Sequence, residues 1–396
     1  MINNLRIISL KNYGVQKKLL GKIGKMLFEN QFKAIFKNKT VLVTGHTGFQ
    51  GSWLSLWLKL LGSNVIGYAL EPPTQPSLFE TLSLEHDTKH IIADLRDKEK
   101  LSSIINQNKP EIVFHLGAQA LVRKSYVEPL ETLETNIMGT ANLLEAIRNC
   151  PSVKVVVIMT SDKCYANIYS ERLHTENDPM GGFDPYSASK GAAELVTSSY
   201  RNSFFNSKKA TQIATARAGN VIGGGDWAED RLIPDSIRAL MKNQSVGIRN
   251  PNAKRPWQYV LESISGMLWL ATKMHAEDKF NEAWNFGPDV NHDSLLVEDI
   301  VKRTIKNWDS KSTIKMQNNS DMLHESESLL LDSSKANQRL GWKNVFSIDQ
   351  ALSETTEWYK TYHENNKDMK QFTISQIKNY ISFAQQSNLI WTKQEN

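Results

Sequence analysis

Tyr186 and Lys190 have the residue types and the spacing of a proton-transfer pair on one face of a helix. Asp184-Pro185 precedes them, and this dipeptide is typical of a helix start, with Asp as the cap and Pro in the first turn. A free tyrosine has a pKa near ~10 and is a poor base at neutral pH. A lysine ammonium one turn away favours the phenolate and should lower that pKa. The pair therefore predicts a tyrosine that removes a proton.

Three more reactive side chains, Ser161, Asp162 and Lys163, directly follow the apolar run 155–160. If that run is a strand of a parallel sheet, its carboxyl end faces a bound ligand. We therefore expect these side chains at a reaction centre. The alternative is an ordinary polar loop.

The glycine-rich stretch 41–54 (VLVTGHTGFQGSWL) is the element that would position these groups. Aliphatic residues lead into Gly45, Gly48 and Gly51, and the apolar run WLSLWLKLL continues with helical spacing. This pattern predicts a strand, a tight turn and a helix whose first N–H groups bind a phosphate. A strand before and a helix after the glycines favour a dinucleotide site over the alternative, a turn without a ligand.

The next predicted strands supply the rest of such a site. The second strand ends shortly before Glu71, twenty residues after Gly51, where an acidic residue binds the ribose 2′-hydroxyl and favours NAD over NADP. Asp94 ends the third strand and is placed to contact an adenine amino group. Gly117 and Ala118 follow the fourth strand and leave room for a cofactor against the backbone.

Strands and helices alternate from residue 41, which predicts an α/β fold: a Rossmann-type doubly wound parallel sheet. The predicted strands are 41–44, 65–69, 89–93, 112–116, 155–160 and 213–217. Helical spacing covers 129–149, 262–277, 294–308 and 349–363. Within the first of these, Asn136 is predicted to be either a surface residue or a buried amide that ties neighbouring strands together.

The chain divides into three portions. Residues 1–39 are a basic extension. We interpret it as a flexible segment, or translation begins at Met26; a basic amphipathic helix on a membrane surface is the alternative. Residues 40–218 are the predicted NAD-binding Rossmann domain. Residues 219–396 are a smaller mixed portion, predicted to bind mainly the substrate in the cleft at the carboxyl ends of the strands.

Composition excludes several classes of protein. Residues 1–39 carry +8 (eight Lys and one Arg against one Glu) of the net charge of +5, so the rest of the chain carries −3, and no nucleic-acid partner is predicted. No apolar run reaches eighteen residues, so no membrane span is predicted. Cys150 and Cys164 lack metal-ligand spacing, so we expect no metal site and a reducing, cytoplasmic location.

Six motifs together resemble the extended branch of the short-chain dehydrogenase/reductase family: TGHTGFQGSWL, TSDKCY, DPYSASK, RAGNVIGGGDWAEDRLIPD, RPWQYVLE and WNFGP. The resemblance covers residues 30–365. Within that branch, the six motifs together look like those of nucleotide-sugar 4,6-dehydratases that act on CDP-glucose, and TSDKCY with GGGDW is specific within the family. The resemblance implies a lyase with a bound NAD that is reduced and reoxidised in one turnover, and CDP-4-keto-6-deoxyglucose as the product.

The resemblance also implies a role for each reactive residue. Tyr186 removes the proton of the sugar 4-hydroxyl, Ser161 hydrogen-bonds the same oxygen, and Lys190 steadies the tyrosinate and the ribose. Asp162 protonates the departing 6-hydroxyl, which requires a raised pKa. Lys163 stands where related dTDP-sugar dehydratases carry a glutamate and is the implied base at C5, which requires a lowered pKa.

The implied binding residues fall into two groups. Those for the cofactor are Gly45, Gly48, Phe49, Gln50, Gly51, Glu71, Asp94, Leu95, Gly117, Ala118, Tyr186 and Lys190. Those for the nucleotide-sugar are Asn220, Arg231 and Arg255, of which the guanidinium groups suit a diphosphate. Three departures from the family pattern, Tyr259 for His, Gly117 for Ala and Gln50 for Lys, bear on the nucleotide preference and leave the hydride chemistry untouched.

Two alternatives stay open. An NAD-dependent nucleotide-sugar 4-epimerase needs Ser161, Tyr186 and Lys190 but no acid–base pair for C5 and C6, so Asp162 and Lys163 favour elimination; a dehydratase of a different nucleotide-sugar is a related possibility. A non-catalytic NAD-binding scaffold would usually have lost the Tyr or the Lys. A homodimer or higher homo-oligomer is expected, through the 97–107 and 129–149 helices or their neighbours.

Overall fold

The computed structural model describes residues 30–166, 172–207, 211–289, 295–316, 329–365 and 367–393. The strands are β1 (Thr40–Thr44), β2 (Asn64–Ala69), β3 (Lys89–Ile92), β4 (Ile112–His115), β5 (Val155–Met159), β6 (Gln212–Ala218), β7 (Val221–Ile222), β8 (Val246–Ile248), β9 (Lys254–Arg255), β10 (Gln258–Tyr259), β11 (Ala283–Phe286), β12 (Leu295–Leu296) and β13 (Ile314–Met316). Seven of them form a parallel sheet in the order β11-β6-β5-β4-β1-β2-β3. The six predicted strands are confirmed as β1 to β6, each within one residue at either end.

Helices cover both faces of this sheet. They are α1 (Gln31–Phe36), α2 (Phe49–Leu60), α3 (Leu78–Thr81), α4 (Lys98–Asn108), α5 (Val122–Val127), α6 (Pro129–Leu133), α7 (Gly139–Arg148), α8 (Pro185–Phe204), α9 (Leu232–Met241), α10 (Val260–Ala276), α11 (Val297–Trp308), α12 (Ile348–Glu364) and α13 (Met369–Gln386). Short 3₁₀ turns (Leu84–His86, Asp162–Cys164, Ile390–Thr392) and π-helical turns (Glu134–Met138, Ala336–Leu340) complete the described elements. Within the described residues, no helix is both long and apolar enough to cross a membrane.

Alternation along the strands explains the two layers. On β1, Val41 and Val43 belong to one hydrophobic cluster, together with α2 and α10, whereas Leu42 belongs to another on the opposite face, with α4, α7 and α8. Strands with apolar residues on both faces are typical of a parallel sheet covered on both sides. The predicted doubly wound fold is therefore present.

The C-terminal portion completes this sheet as well as capping it. Strand β11, which we did not predict, pairs with β6, and one hydrophobic cluster extends from Phe32 to Trp391. Its four residues (AWNF) lack the alternation or the long apolar run that identifies a strand. Residues on either side of position 218 therefore share one core.

The predicted extension 1–39 requires a correction at its end. Phe32 and Phe36 of α1 are fully buried, and Phe32 stacks on Trp391 with ring centroids 4.8 Å apart. Residues 30–39 thus belong to the fold, because two aromatic side chains are removed from water there. Residues 1–29, with Met26, lie outside the described residues.

Asn136 is a buried amide, as one of our two interpretations required. Its side chain accepts from Gln119 N (2.8 Å) and donates to Gln119 O (3.0 Å) and Ser189 Oγ (2.8 Å). It joins the loop after β4 to helix α8, not two strands as predicted. This contact fixes the helix that carries Tyr186.

Candidate active site

One cavity, with a volume of about 1090 Å³, collects most of the predicted reactive residues. Its wall includes Ser161, Asp162, Lys163, Tyr186, Asn220, Arg231 and Arg255, with Gln50 from the glycine turn. It opens where β5 and β6 end, as expected for a parallel sheet. Four of the five predicted catalytic residues and the three predicted substrate residues thus line one surface, whereas Lys190 is not among the lining residues.

The Tyr–Lys pair lies on α8, which begins as the sequence indicated. Asp184 caps the helix: its Oδ1 accepts from Ser187 N at 2.9 Å, and Pro185 occupies the first turn. Lys190 Nζ lies 5.8 Å from the centroid of the Tyr186 ring. Both side chains are buried, so the pair is held out of bulk water.

The prediction that nearby charge lowers the pKa of Tyr186 is wrong for the protein alone. Burial raises the pKa of Tyr186 to about 12, while a hydrogen bond with Ser161 and the positive charge of Arg231 act in the opposite direction. Burial disfavours the phenolate more strongly than these partners favour it. Sequence spacing shows that Lys190 is near but does not show how deeply the phenol is buried.

Burial also lowers the pKa of Lys190 to about 8, because an ammonium is disfavoured in a low-dielectric interior. Cys164 and Glu194 act in the opposite direction. The pKa of Lys190 is thus close to neutral pH, and a further small decrease would remove its charge.

Ser161, Asp162 and Lys163 form a short turn after β5. Ser161 Oγ donates to Asp162 Oδ1 at 2.8 Å and accepts from Lys163 N at 3.2 Å. Asp162 Oδ2 is buried and has no hydrogen-bond partner among the described residues, and a Cβ on Gly219 would come within 2.8 Å of it. Burial raises the pKa of Asp162 despite the opposing charges of Lys163 and Arg255. A carboxyl group in this position holds a proton at higher pH than usual.

The glycine turn fits the pyrophosphate of a dinucleotide. Gly45 has a left-handed φ of 72°, and a Cβ there would lie 2.7 Å from Gly117 N. A Cβ on Gly51 would lie 2.1 Å from the Gly45 carbonyl oxygen. Helix α2 starts at Phe49, after Gly48, without a side-chain cap. The first N–H groups of α2 are therefore available to a phosphate.

We expect Gly51→Ala to destabilise the protein by roughly 3 kcal/mol and to weaken NAD binding, because the added methyl group overlaps the Gly45 carbonyl. Thermal unfolding with and without NAD measures both effects. Gly48→Ala is the matched control, since its Cβ would lie at 3.4 Å from the same oxygen. Equal effects of the two substitutions would contradict this account of the turn.

The other predicted cofactor residues lie around this turn. Gln50 Oε1 accepts from Ser263 Oγ on α10 at 3.1 Å. Leu95 packs on Gly117, where a Cβ would lie 2.7 Å from Leu95 Cδ1, and Ala118 follows. The Asp94 carboxylate accepts from the Arg96 guanidinium at 2.6 Å. Glu71 is exposed beyond the end of β2.

The predicted substrate residues come from the C-terminal portion and the end of β6. Arg231 precedes α9, and its Nη1 donates to Asp226 Oδ2 at 2.9 Å. Arg255 is buried on β9, and its Nη1 donates to Lys254 O at 2.9 Å. The Asn220 carbonyl accepts from Gln258 N at 3.1 Å. Both predicted arginines thus line the cavity that contains the Ser161–Lys163 turn.

Two residues that hold the site were missed. Asp226, in the GGGDW motif, anchors Arg231, and its own carbonyl accepts from the Tyr359 hydroxyl. Ser125 Oγ accepts from Tyr186 N at 3.1 Å. The motif could have suggested Asp226, whereas nothing in the sequence around Ser125 indicates its contact with α8.

Comparisons with known proteins agree with this geometry. The family model for GDP-mannose 4,6 dehydratase matches residues 42–355. A CDP-glucose 4,6-dehydratase of Salmonella typhimurium is 48% identical over 355 residues, which cover 88% of this chain and 98% of that protein.

Solved structures are similar in fold. The dTDP-glucose 4,6-dehydratase of Bacillus anthracis, in complex with NAD, has a TM-score of 0.70 at 19% identity and covers 82% of this chain and 98% of that chain. The UDP-glucose 4-epimerase of Thermotoga maritima, with UDP-glucose, has a TM-score of 0.69 at 24% identity and covers 82% of this chain and 99% of that chain. These likenesses bear on the fold, which dehydratases and epimerases share.

Proposed function

This chain belongs to the GDP-mannose 4,6 dehydratase family, and from that premise we propose that it is an NAD-dependent lyase that converts CDP-glucose to CDP-4-keto-6-deoxyglucose. The observation that carries this assignment is the placement of Asp162 and Lys163 beside Ser161 and Tyr186 in one cavity. An epimerase needs Ser161, Tyr186 and Lys190, whereas loss of water requires an acid and a base as well. The 48% identity to a CDP-glucose 4,6-dehydratase supports the cytidine nucleotide.

The glycine turn at Gly45, Gly48 and Gly51 would hold the pyrophosphate of NAD, and Glu71 and Asp94 its ribose and adenine ends. When bound, NAD supplies a hydride acceptor for C4 and a hydride donor for C6 of the sugar. Tyr186 and Lys190 meet this site from α8.

Tyr186 takes the proton of the sugar 4-hydroxyl during oxidation. Ser161, which hydrogen-bonds the phenol, orients the same sugar oxygen, and Arg231 favours the phenolate electrostatically. Lys190, one turn away, adds positive charge and a donor for the ribose. General-base catalysis of this kind contributes about 10²–10⁴-fold to the rate.

Asp162 and Lys163 act after C4 has become a ketone, which acidifies the proton on C5. The raised pKa of Asp162 keeps a proton on its carboxyl group for the departing 6-hydroxyl. Lys163, as the neutral amine, accepts the C5 proton and returns it to C5 when hydride adds to C6. Arg231 and Arg255, with Asn220, bind the diphosphate and fix the sugar over these groups.

Incubation of the purified protein and NAD with CDP-, dTDP- and GDP-glucose tests this function. We expect loss of water from CDP-glucose, with the 4-keto-6-deoxy product identified by mass spectrometry. A CDP-sugar product that keeps its water but changes configuration at C4 would instead identify an epimerase. Faster loss of water from dTDP- or GDP-glucose would support the proposed reaction but contradict CDP-glucose as its substrate.

We also propose that two copies associate through the helices next to the site. Val127 and Leu130 are 80% and 72% exposed on α5 and α6, and Leu195 is 61% exposed on α8. Exposed apolar side chains on neighbouring helices are typical of an interface. A cytoplasmic location is proposed with it, since Cys150 and Cys164 are free thiols.

Leu130→Glu combined with Leu195→Glu is expected to convert the dimer to a monomer, because two charges would be buried at the interface. Light scattering after gel filtration measures the mass. Met316→Glu, an exposed position on β13, is the control and should leave the mass unchanged. A wild-type monomer would contradict the dimer.

A further inference from the structure

We propose that Glu194 is a positioning residue of the reaction centre: its buried carboxylate fixes helix α8 against the Ser161–Lys163 turn and keeps Lys190 charged. Its catalytic part rests on the proposed function. Glu194 lies on α8 one turn after Lys190 and two turns after Tyr186. Nothing in the proton-transfer steps described above uses it.

The Glu194 carboxylate accepts four hydrogen bonds that join three elements. Oε1 accepts from Thr160 Oγ1 (2.5 Å) and Arg217 Nε (2.9 Å), and Oε2 accepts from Thr215 Oγ1 (2.7 Å) and Arg217 Nη2 (2.8 Å). Thr160 directly precedes Ser161, and Thr215 and Arg217 belong to β6. The Glu194 side chain of α8 thus holds both the start of the Ser161–Lys163 turn and strand β6.

Arg217 holds the other end of the same turn. Its Nη1 donates to the Tyr165 hydroxyl at 2.8 Å, and that hydroxyl donates to Asn285 Oδ1 at 2.7 Å. Thr160 and Tyr165 bracket residues 161–164. The Glu194–Arg217 pair therefore anchors both ends of the segment that carries Ser161, Asp162 and Lys163.

Stability alone is a weak reason for this pair. Glu194 and Arg217 are 5% and 3% exposed, and desolvation of two charges offsets much of their attraction. Burial acts to raise the pKa of Glu194, but the charge of Arg217 and the hydrogen bonds hold it below its usual value. The Glu194 carboxylate is therefore charged, and this charge can act on neighbouring groups of the reaction centre.

The negative charge of Glu194 acts on Lys190 and favours its charged form. Lys190 Nζ lies 5.8 Å from the centroid of the Tyr186 ring, and the other titratable groups that act on Lys190 through their charge are Glu194, Cys164 and His115. Burial raises the pKa of Cys164 well above its usual value and lowers that of His115 to about 3, so both are neutral near pH 7. Glu194 is then the anion among these four, and it opposes the burial that brings the pKa of Lys190 down to about 8.

Glu194→Gln tests this role without substrate or cofactor. The ¹³Cε chemical shift of Lys190 in lysine-labelled protein, identified by its loss in Lys190→Arg, gives the pKa directly. We expect it to fall by about one unit in Glu194→Gln, because an opposite charge has been removed. An unchanged pKa in the folded variant would overturn the electrostatic part, whether or not the proposed function is correct.

The kinetic arm uses CDP-glucose and NAD. In Glu194→Gln we expect kcat to fall about 10–100-fold, with little change in KM, and the alkaline limb of its pH profile to move to lower pH. Glu262→Gln is the control: this buried carboxylate on α10 accepts from Phe346 N (2.8 Å) and the Tyr380 hydroxyl (2.7 Å), and it is not among the groups whose charge acts on Lys190. Glu262→Gln should lower stability and leave the alkaline limb of the pH profile unchanged. If Glu194→Gln also lowered stability without moving that limb, Glu194 would be a structural residue only.

Two threonine variants decide the positioning part even if Glu194→Gln does not fold. Thr160→Val and Thr215→Val each remove one hydrogen bond to the carboxylate and keep the ion pair. Thr160→Val removes the hydrogen bond that ties the Ser161–Lys163 turn to Glu194, and we expect it to lower kcat about tenfold. Thr215→Val removes only a hydrogen bond to β6, and we expect it to lower kcat at most about twofold. Equal effects would overturn the positioning role.

Discussion

Tyr186→Phe is expected to lower kcat for CDP-glucose by about 10³–10⁴-fold while NAD remains bound, because it removes only the phenolic oxygen that we propose takes the 4-hydroxyl proton. The ring and the backbone contact from Tyr186 N to Ser125 Oγ remain, so α8 keeps its place. The glycine turn, which would bind the pyrophosphate, is untouched. Turnover and NAD affinity, measured on the same preparation, separate the two effects.

Tyr200→Phe on the same helix is the matched control. Its hydroxyl lies 3.5 Å from Glu145 Oε2 on α7, and Tyr200 does not line the cavity, so the substitution should leave turnover unchanged. Normal turnover in Tyr186→Phe would exclude this residue as the base, and loss of NAD would show that it holds the cofactor instead.

Asp162→Asn is expected to slow loss of water by about 10²–10⁴-fold and still permit oxidation at C4, because the acid serves only the departing 6-hydroxyl. Asn has the shape of Asp, and its side-chain oxygen can still accept from Ser161 Oγ, as Asp162 Oδ1 does at 2.8 Å. The amide cannot donate a proton to a leaving group. Single-turnover absorbance should therefore show reduced cofactor that persists.

Lys163→Met should give the same pattern, since the base at C5 is also needed only after oxidation. Asp235→Asn, a carboxylate that also lines the cavity, is the control and should retain most of the dehydration rate. Full activity in Asp162→Asn would remove this residue as the acid. Loss of oxidation together with dehydration would place it in the first half-reaction.

Local patterns in the sequence predicted much of this molecule. The spacing of Gly45, Gly48 and Gly51, the Asp184 cap and strands β1 to β6 depend on neighbours a few residues away, which the sequence shows directly. Strand β11 and helix α1 were missed because their positions depend on distant partners, β6 for one and Trp391 for the other.

The sequence predicted most of the reactive residues that line the cavity, and it predicted the electrostatics of Tyr186 less well. The raised pKa of Tyr186 reflects burial in a cavity whose lining residues are far apart in the sequence. Glu194 could not be singled out either. Its partners Thr160, Thr215 and Arg217 are brought together only when α8 packs on β5 and β6, so no local pattern identifies the contact.

The most direct test of the function follows a single deuterium atom. CDP-[4-²H]glucose is converted with NAD, and the position of the label in the product is read by NMR. Oxidation at C4, loss of water and return of the same hydride predict a 4-keto-6-deoxy product with deuterium on C6. Deuterium that stays on C4 of an isomerised sugar, or that is absent from C6, would contradict this reaction.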